Sequence, residues 1–437
     1  MHSMTRRKFV CNAAAASLTP AAFSGTAART GPSDRVRVAL IGAGGRGRAD
    51  LAAFLTNPEV DCVAVCDVDD RQIAAGVELV EKTRGSRPDA VKDFRRVLDR
   101  QDIDACLIGS PDHWHALQTS LACQAGKDVY VEKPLATTIV EGRAMVEIAR
   151  RYQRVVQMGT QWPNMTHCQE AIEFVHSGKL GRIRQVRAWA YMDWAGGIGR
   201  PPDGDPPAVV DYDMWLGPAP KRPFNPNRFH QNFRWFWDYA GGLMTDWGVH
   251  LLNVALWGMG YEAPRSVCSF GSKYMTDDNT ETPDTLAVLY EFSSYQLIWE
   301  AQMRIGLGPN GRPHGVSFSG SEATLTVDNR GWEVASEPTK RDFAIKRNSN
   351  SKELNADPTR AHVRNFLECA RTRRDPVMCP EPSHLATTVA HLGNIALQTR
   401  SRIAWNASEE KALNNPEANS LLRREYRAPW ILPSAKS

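Results

Sequence analysis

"VRVALIGAGGRG", Val36 to Gly47, decides the fold: an apolar run passes directly into Gly42, Ala43, Gly44, Gly45, Arg46 and Gly47, and the helix-like "GRADLAAFLTN" follows. Gly-x-Gly-x-x-Gly at the join of a strand and a helix lets the backbone turn sharply and approach a pyrophosphate. The first N–H groups of the helix stay free to receive its charge. The pattern alone is a weak signal, since glycine also serves tight turns. Its context strengthens it, because the next strand, "VDCVAVCD", ends at Asp67, twenty residues after Gly47, where an acid binds the adenosine ribose of NAD. Arg46 and Arg71 keep NADP open, because either can meet a 2′-phosphate.

Outward from this stretch, residues 35–157 alternate strand and helix, with "DACLIGS" and "KDVYVEK" as further strands. That order predicts an α/β fold with an N-terminal doubly wound parallel sheet, a Rossmann domain for NAD. In 158–350 the strand-like runs "IRQVRAWAYM", "DTLAVLYEF" and "YQLIWEAQM" are separated by turn residues, which predicts a C-terminal α/β domain with a large, mostly antiparallel open sheet. A Pro/Gly/Asp-rich stretch inside it, 196–227, reads as a long loop over a site or at a subunit contact. Residues 351–437 read as a helical segment packing back on the first domain.

The composition is that of an ordinary globular chain: 437 residues, 42% hydrophobic and 23% charged, net charge +4. With no long basic run, nucleic acid is not expected as a partner. No apolar run reaches the roughly 18 residues of a membrane helix. The opening "MTRRKFVCNAAAASLTPAAFSGTAA" pairs Arg6 and Arg7 before Phe9 and an Ala-rich stretch, which resembles a twin-arginine signal over residues 1–28 and predicts export to the periplasm by the twin-arginine machinery. Of nine cysteines, Cys11 falls in that segment, and the others read as buried thiols, although spacing leaves a disulfide open.

"GGLMTDWGVHLLNVALW", Gly241 to Trp257, reads as a buried helix that keeps Asp246, His250 and Asn253 on one narrow stripe, given about 100° per residue. Such a stripe either faces a cavity or is a hydrogen-bonded core pair. "VYVEKPLA" places Glu132 and Lys133 at the carboxyl end of a strand, where open parallel sheets bind ligands. Oxidising a secondary alcohol needs a group of near-neutral pKa to take the proton and a cation to steady the alkoxide; His250 and Lys133 are the residue types for those tasks.

The glycine fingerprint, "SPDHWHALQ", "VEKPLA", "WLGPAP" and "GGLMTDWGVHLLN" come in an order that resembles the Gfo/Idh/MocA oxidoreductases. The resemblance implies chemistry on hydroxyls of sugars or polyols, with a homo-oligomer, dimer or tetramer, built on the open sheet. It carries over Lys133 as the residue polarising the reacting oxygen, Asp246 as the acid orienting substrate, and His250 as proton acceptor or donor. Glu132, Ser110 and His115 join Lys133 as cofactor-site residues. Trp162, Tyr191, Asp193, Arg234 and Trp237 are candidates to line a sugar site, with core or subunit contacts as the competing assignment. His113 and His115 flank Trp114, but His-x-His alone is a poor metal signal, and no metal is expected.

An exported dinucleotide enzyme lacks a pool of free NAD to exchange with. The expected activity is therefore hydride transfer between a sugar or polyol and a tightly bound nicotinamide. The alternative is a redox-neutral glycosidase or lyase working through a transient keto-sugar.

Overall fold

The computed structural model describes residues 35–338, 347–350 and 357–434, so the signal expected at 1–28 lies outside the described residues. Six strands form the first sheet: β1 (Val36–Ile41), β2 (Val60–Cys66), β3 (Asp89–Val91), β4 (Ala105–Ile108), β5 (Asp128–Val131) and β6 (Val156–Met158). Between them run α1 (Gly45–Phe54), α2 (Asp70–Arg84), α3 (Phe94–Leu98), α4 (Asp112–Gln124) and α5 (Ile139–Arg151). All pairings are parallel in the order β3-β2-β1-β4-β5-β6. Helices cover both faces, so β1, β4 and β5 are apolar on both sides, and Val38, Ala39 and Leu40 are sealed completely. The strand order reverses between β1 and β4, which opens a crevice at their carboxyl ends.

The chain continues through α6 (Thr166–His176), β7 (Gln185–Met192), α7 (Tyr212–Leu216), α8 (Leu243–Asp246), α9 (Gly248–Gly258), β8 (Ser266–Ser272), β9 (Thr285–Glu291), β10 (Gln296–Met303), β11 (His314–Ser319), β12 (Ala323–Asp328), β13 (Gly331–Ser336) and β14 (Arg347–Asn350). After α10 (Pro358–Thr372) and α11 (Pro380–Gln398) come β15 (Ile403–Asn406), β16 (Lys411–Ala412) and α12 (Pro416–Ser420). A ten-stranded sheet runs β14-β13-β12-β11-β7-β10-β9-β8-β15-β16, and only β7 and β10 pair in parallel. Residues alternate along its strands: Val186, Ala188, Leu297 and Trp299 are buried under α6, α9 and α11, whereas Arg187, Ile298 and Leu289 face the open side.

The C-terminal part is more than a helical segment on the first domain. Phe366 of α10 does pack there, its ring 5.8 Å from Phe54 of α1. However, β15 pairs with β8 and extends the large sheet. Cys62 and Cys66 are buried free thiols on β2, and burial pushes Cys62 up to about 12.

The polar stripe does not lie on one unbroken helix. α8 and α9 meet at Trp247 (φ −95°, ψ −32°). Gly248, a poor helix former, follows at the point where a Cβ would stand 3.4 Å from the Trp299 ring. Lys133 Nζ donates to the Asp246 carbonyl at 2.9 Å, an acceptor that in a continuous helix would serve the N–H of His250.

Candidate active site

A cavity of about 810 Å³ occupies the crevice at the carboxyl edge of the parallel sheet. At one end lies the glycine loop. Gly42 has φ +88°, and a Cβ there would stand 2.3 Å from the Ser110 nitrogen; one on Gly47 would stand 2.0 Å from the Gly42 carbonyl oxygen. These two glycines let β1, α1 and the loop after β4 close on one another. Gly44 and Gly45 differ, since nothing lies within 4 Å of a Cβ at either, and both line the cavity. Gly44 caps α1 with no side-chain hydrogen bond, so the first N–H groups of the helix are open to a phosphate.

Asp67 lines the cavity from the end of β2 and accepts the Ala43 N–H at 2.7 Å and the Asp69 N–H at 3.0 Å. Burial lifts its carboxyl to about 6 against those two bonds. Arg71 is not part of the wall. It lies on the surface, bidentate to Asp69 at 3.0 and 2.7 Å. Arg46 does line the cavity, but it is tied to Asp50 at 2.7 Å and Glu132 at 2.9 Å. The two arginines that left NADP open are thus both committed to carboxylates. Arg48, Gln72 and Lys92, which sequence reasoning did not single out, line the cavity with Asp67.

The other end gathers Glu132, Lys133, Asp246 and His250. The Lys133 ammonium binds the Asp246 carboxylate as well as its carbonyl, and Arg234 Nε is 3.5 Å from the same carboxylate oxygen. Burial would raise Asp246, but Lys133 and then Arg234 hold it below the ordinary carboxylate range. Glu132 likewise stays low despite burial, because Arg46 and Lys133 flank it. Asp50 behind it is pushed well up by burial and by Glu132. His250 departs from the near-neutral imidazole expected: burial and then Lys133 push it down to about 3, and its Nδ1 is sealed without a hydrogen-bond partner. It is therefore a neutral imidazole at physiological pH. Asn253 turns away from the cavity and accepts the Tyr261 hydroxyl at 3.0 Å.

Of the candidate sugar-site residues, Trp162 and Arg234 line the cavity. The others lie elsewhere. Tyr191 is on the open side of the large sheet with its hydroxyl 3.2 Å from Gln302 Nε2, Asp193 is exposed beside Gly306, and Trp237, whose backbone N–H donates to Glu281 at 3.0 Å, is not among the lining residues. Strand alternation puts 191 on the same side as Arg187 and away from α9, so no rotamer of Tyr191 can reach the crevice. Ser110 and His115 both line the cavity; His115 bonds the Pro134 carbonyl at 2.7 Å and the Ser110 carbonyl at 2.9 Å. His113 points away to the Trp215 carbonyl at 2.9 Å. The roof has two parts: α7, inside the Pro/Gly-rich loop, supplies Met214 and Trp215, and the 3-10 turn His230–Trp235 just after that loop supplies His230, Gln231 and Phe233. "WLGPAP" was a visible signal for part of it; Asp112 and Trp247 of the wall lie inside the quoted "SPDHWHALQ" and "GGLMTDWGVHLLN" without having been singled out, and Gln161 carried no signal.

A dinucleotide fits these residues, because the bare faces of Gly44 and Gly45 leave its pyrophosphate room above an uncapped helix. Replacing Gly47→Ala puts a Cβ into the Gly42 carbonyl. The variant is expected to weaken NAD binding tenfold or more, about 1.4 kcal/mol, in a fluorescence titration. Unchanged affinity would refute the cradle.

Comparison with known proteins agrees with this geometry. A glycosyl hydrolase family 109 protein of Shewanella sp. (strain ANA-3) is 31% identical over 218 residues, 44% of this chain and 47% of that protein, so the match spans about half of the relative's length. In structure, the chain is similar to an aldose-aldose oxidoreductase from Caulobacter crescentus complexed with glycerol (TM-score 0.66, 18% identity, 85% of this chain and 99% of that one). It is also similar to a levoglucosan dehydrogenase in complex with NADH and levoglucosan (TM-score 0.65, 16% identity, 84% and 99%). An oxidoreductase family described by its NAD-binding Rossmann fold matches residues 36–160, and the C-terminal alpha/beta domain of the same family matches 175–269 and 341–432. The chain belongs to the Gfo/Idh/MocA oxidoreductase family.

Proposed function

We propose that this protein is an NAD-dependent oxidoreductase that transfers a hydride between a hydroxyl of a sugar or polyol and a tightly held nicotinamide. The observation that carries this reading is the meeting of Lys133, from the edge of the parallel sheet, with Asp246 and His250, from α8 and α9, in one cavity with a dinucleotide cradle. Bound NAD supplies the acceptor for the electrons that leave the substrate C–H bond. The Lys133 ammonium stands by to steady negative charge on the reacting oxygen, in a site dry enough to make that charge felt. Asp246, ionised and held by Lys133, offers a fixed acceptor to a neighbouring sugar hydroxyl. Neutral His250 orients the reacting hydroxyl by a hydrogen bond. Trp162 and Trp247 exclude water and present apolar faces to the C–H face of a sugar.

Tight holding is supported by how the roof is fastened. Asp70 N–H donates to the Val209 carbonyl at 3.1 Å, Asp211 N–H to the Val68 carbonyl at 2.9 Å, and His230 Nε2 lies 3.0 Å from Asp69. On the far side, Arg427 of the C-terminal tail bonds Asp213 at 2.7 Å and the Gly217 carbonyl at 2.9 Å. Such a roof suits a nucleotide recycled in place. The glycosyl hydrolase relative favours a second reading on the same residues, in which a hydroxyl is oxidised, a neighbouring glycosidic bond is cleaved, and the keto group is reduced again.

Mass spectrometry of nucleotide released from freshly purified, denatured protein is expected to find NAD at about one per chain; an empty protein would sink the tight-binding reading. With NAD in place, net NADH formation from a free sugar supports the dehydrogenase. Cleavage of a glycoside with no net NADH supports the redox-neutral enzyme instead.

Two further proposals complete the reading. The open side of the large sheet shows Phe270 78% exposed and Leu289 41% exposed on neighbouring strands, which suits a sheet-to-sheet homo-oligomer. Light scattering is expected to give a dimer or tetramer, and Phe270→Glu to shift it toward monomer; a monomeric wild type would end that proposal. Export rests on Arg6 and Arg7. Replacing both by Lys should hold the protein in the cytoplasm, and undiminished periplasmic protein would count against a twin-arginine route.

A further inference from the structure

His115 belongs to the first turn of α4, is buried, and lines the cavity. Its Nδ1 stands 2.7 Å from the Pro134 carbonyl oxygen and its Nε2 2.9 Å from the Ser110 carbonyl oxygen. A neutral imidazole has one N–H to give, and the lone pair on its other nitrogen would be repelled by a carbonyl oxygen. Backbone carbonyls have no donor to offer in return, so a ring that meets two of them carries a proton on each nitrogen. Among the described residues, His115 is the one histidine with both ring nitrogens on backbone carbonyls. His113, two residues before it, has Nε2 2.9 Å from the Trp215 carbonyl and Nδ1 sealed without a partner, which suits a neutral ring. His362 meets the Met158 carbonyl at 2.8 Å and Asn164 Oδ1 at 2.6 Å, but a side-chain amide can turn its NH2 toward the ring.

The two carbonyls belong to opposite ends of the site. Gly109 and Ser110 lie against the glycine loop: a Cβ on Gly42 would stand 2.3 Å from the Ser110 nitrogen, and one on Gly109 would stand 2.7 Å from the Gly47 Cα. Pro134 follows Lys133, whose ammonium holds Asp246. One ring therefore spans from the dinucleotide cradle beyond β4 to Lys133 at the end of β5. A carboxylate to offset its charge is near in the same helical turn, because Asp112, also in the cavity wall, is lifted by burial and drawn back first by His115, then by Lys133 and Arg234. We propose that His115 is a positioning residue, an imidazolium whose two N–H groups fix the spacing between the nucleotide cradle and the Lys133 ammonium. It acts through the Ser110 loop and through Lys133, and with both nitrogens donating it takes no proton from the substrate. Its effect on rate rests on the dehydrogenase reading above; its two bonds do not.

The first measurement needs no sugar. It uses the full chain, loaded with NAD and isotopically labelled at its histidine nitrogens, and identifies the His115 ring by the signals that vanish in His115→Gln. Magnetic resonance at pH 7.5 is expected to show both of its nitrogens protonated, where an exposed histidine of ordinary pKa, about 6.5, is mostly neutral. His113 is the internal comparison, with one protonated and one bare nitrogen. A bare nitrogen on His115 overturns the double tie.

The second measurement separates the two bonds. An asparagine amide nitrogen stands where Nδ1 stood and a glutamine amide nitrogen where Nε2 stood, so His115→Asn keeps the bond to Pro134 and His115→Gln keeps the bond to Ser110. His115→Asn should release NADH about tenfold faster than wild type, followed by the nucleotide's fluorescence, and react near the wild-type rate once loaded. His115→Gln should hold NADH as wild type does, while D-glucose, myo-inositol or methyl β-D-glucopyranoside reduces its bound NAD about 10- to 100-fold more slowly. A general loosening of the fold would move both quantities in both variants. Variants that lose retention and rate together, or lose neither, overturn the positioning role. A wild type that reduces no nucleotide with any of the three sugars overturns the dehydrogenase reading, while the ring nitrogens and the release of NADH still decide the assignment of His115.

Discussion

The ion pair of Lys133 and Asp246 is the contact on which the site depends. It joins the carboxyl edge of the parallel sheet to α8 of the following domain, with side chains only 15% and 12% exposed. Two charges so deeply placed persist because each is paired, with Arg234 as a second cation on Asp246 and Glu132 as a second carboxylate near Lys133. The pair also shapes the backbone. By taking the Asp246 carbonyl, Lys133 accompanies the break at Trp247 that separates α8 from α9, and the same ammonium helps drive the proton off His250.

One buried environment gives chemically identical groups different states. Asp246 and Glu132 sit against Lys133 and Arg46 and remain ionised, whereas Asp67 and Asp112, with weaker cationic support, are lifted to about 6. Burial acts on all four in the same direction. Of these four, Asp246 and Glu132 have a cation in hydrogen-bond contact, whereas cations act on Asp112 only through space and Asp67 is bonded to backbone N–H groups.

A roof closes over these groups. The Pro/Gly-rich loop carries only the short α7, so much of its order comes from outside: backbone bonds to the residues after β2 and Arg427 of the C-terminal tail, while the Asp69–His230 contact fastens the turn that follows. Trp430 of that tail stands 4.9 Å from Trp114, itself part of the cavity wall. Residues more than three hundred positions apart in the chain thus brace one wall.

The nucleotide half of the site was legible in the sequence. Glycine spacing, the acid ending the second strand and the Glu-Lys-Pro step are local, because each depends on a turn or strand end made by residues adjacent in the chain. The two-domain division was legible for a related reason, since strand-helix alternation and strand-turn-strand patterning differ over short windows. Asp246 and His250 were legible as a polar stripe on an apolar segment, although the break between them was not. Tertiary structure alone decided which aromatic and charged residues of the second domain face the cavity: Trp162 and Arg234 do, Tyr191, Asp193 and Trp237 do not. It alone also decided the burial that pushes His250 down and Asp112 up. A residue's type names what it can do, but which side of a sheet it occupies and how many charges surround it depend on segments far away in the chain, and those only folding brings together.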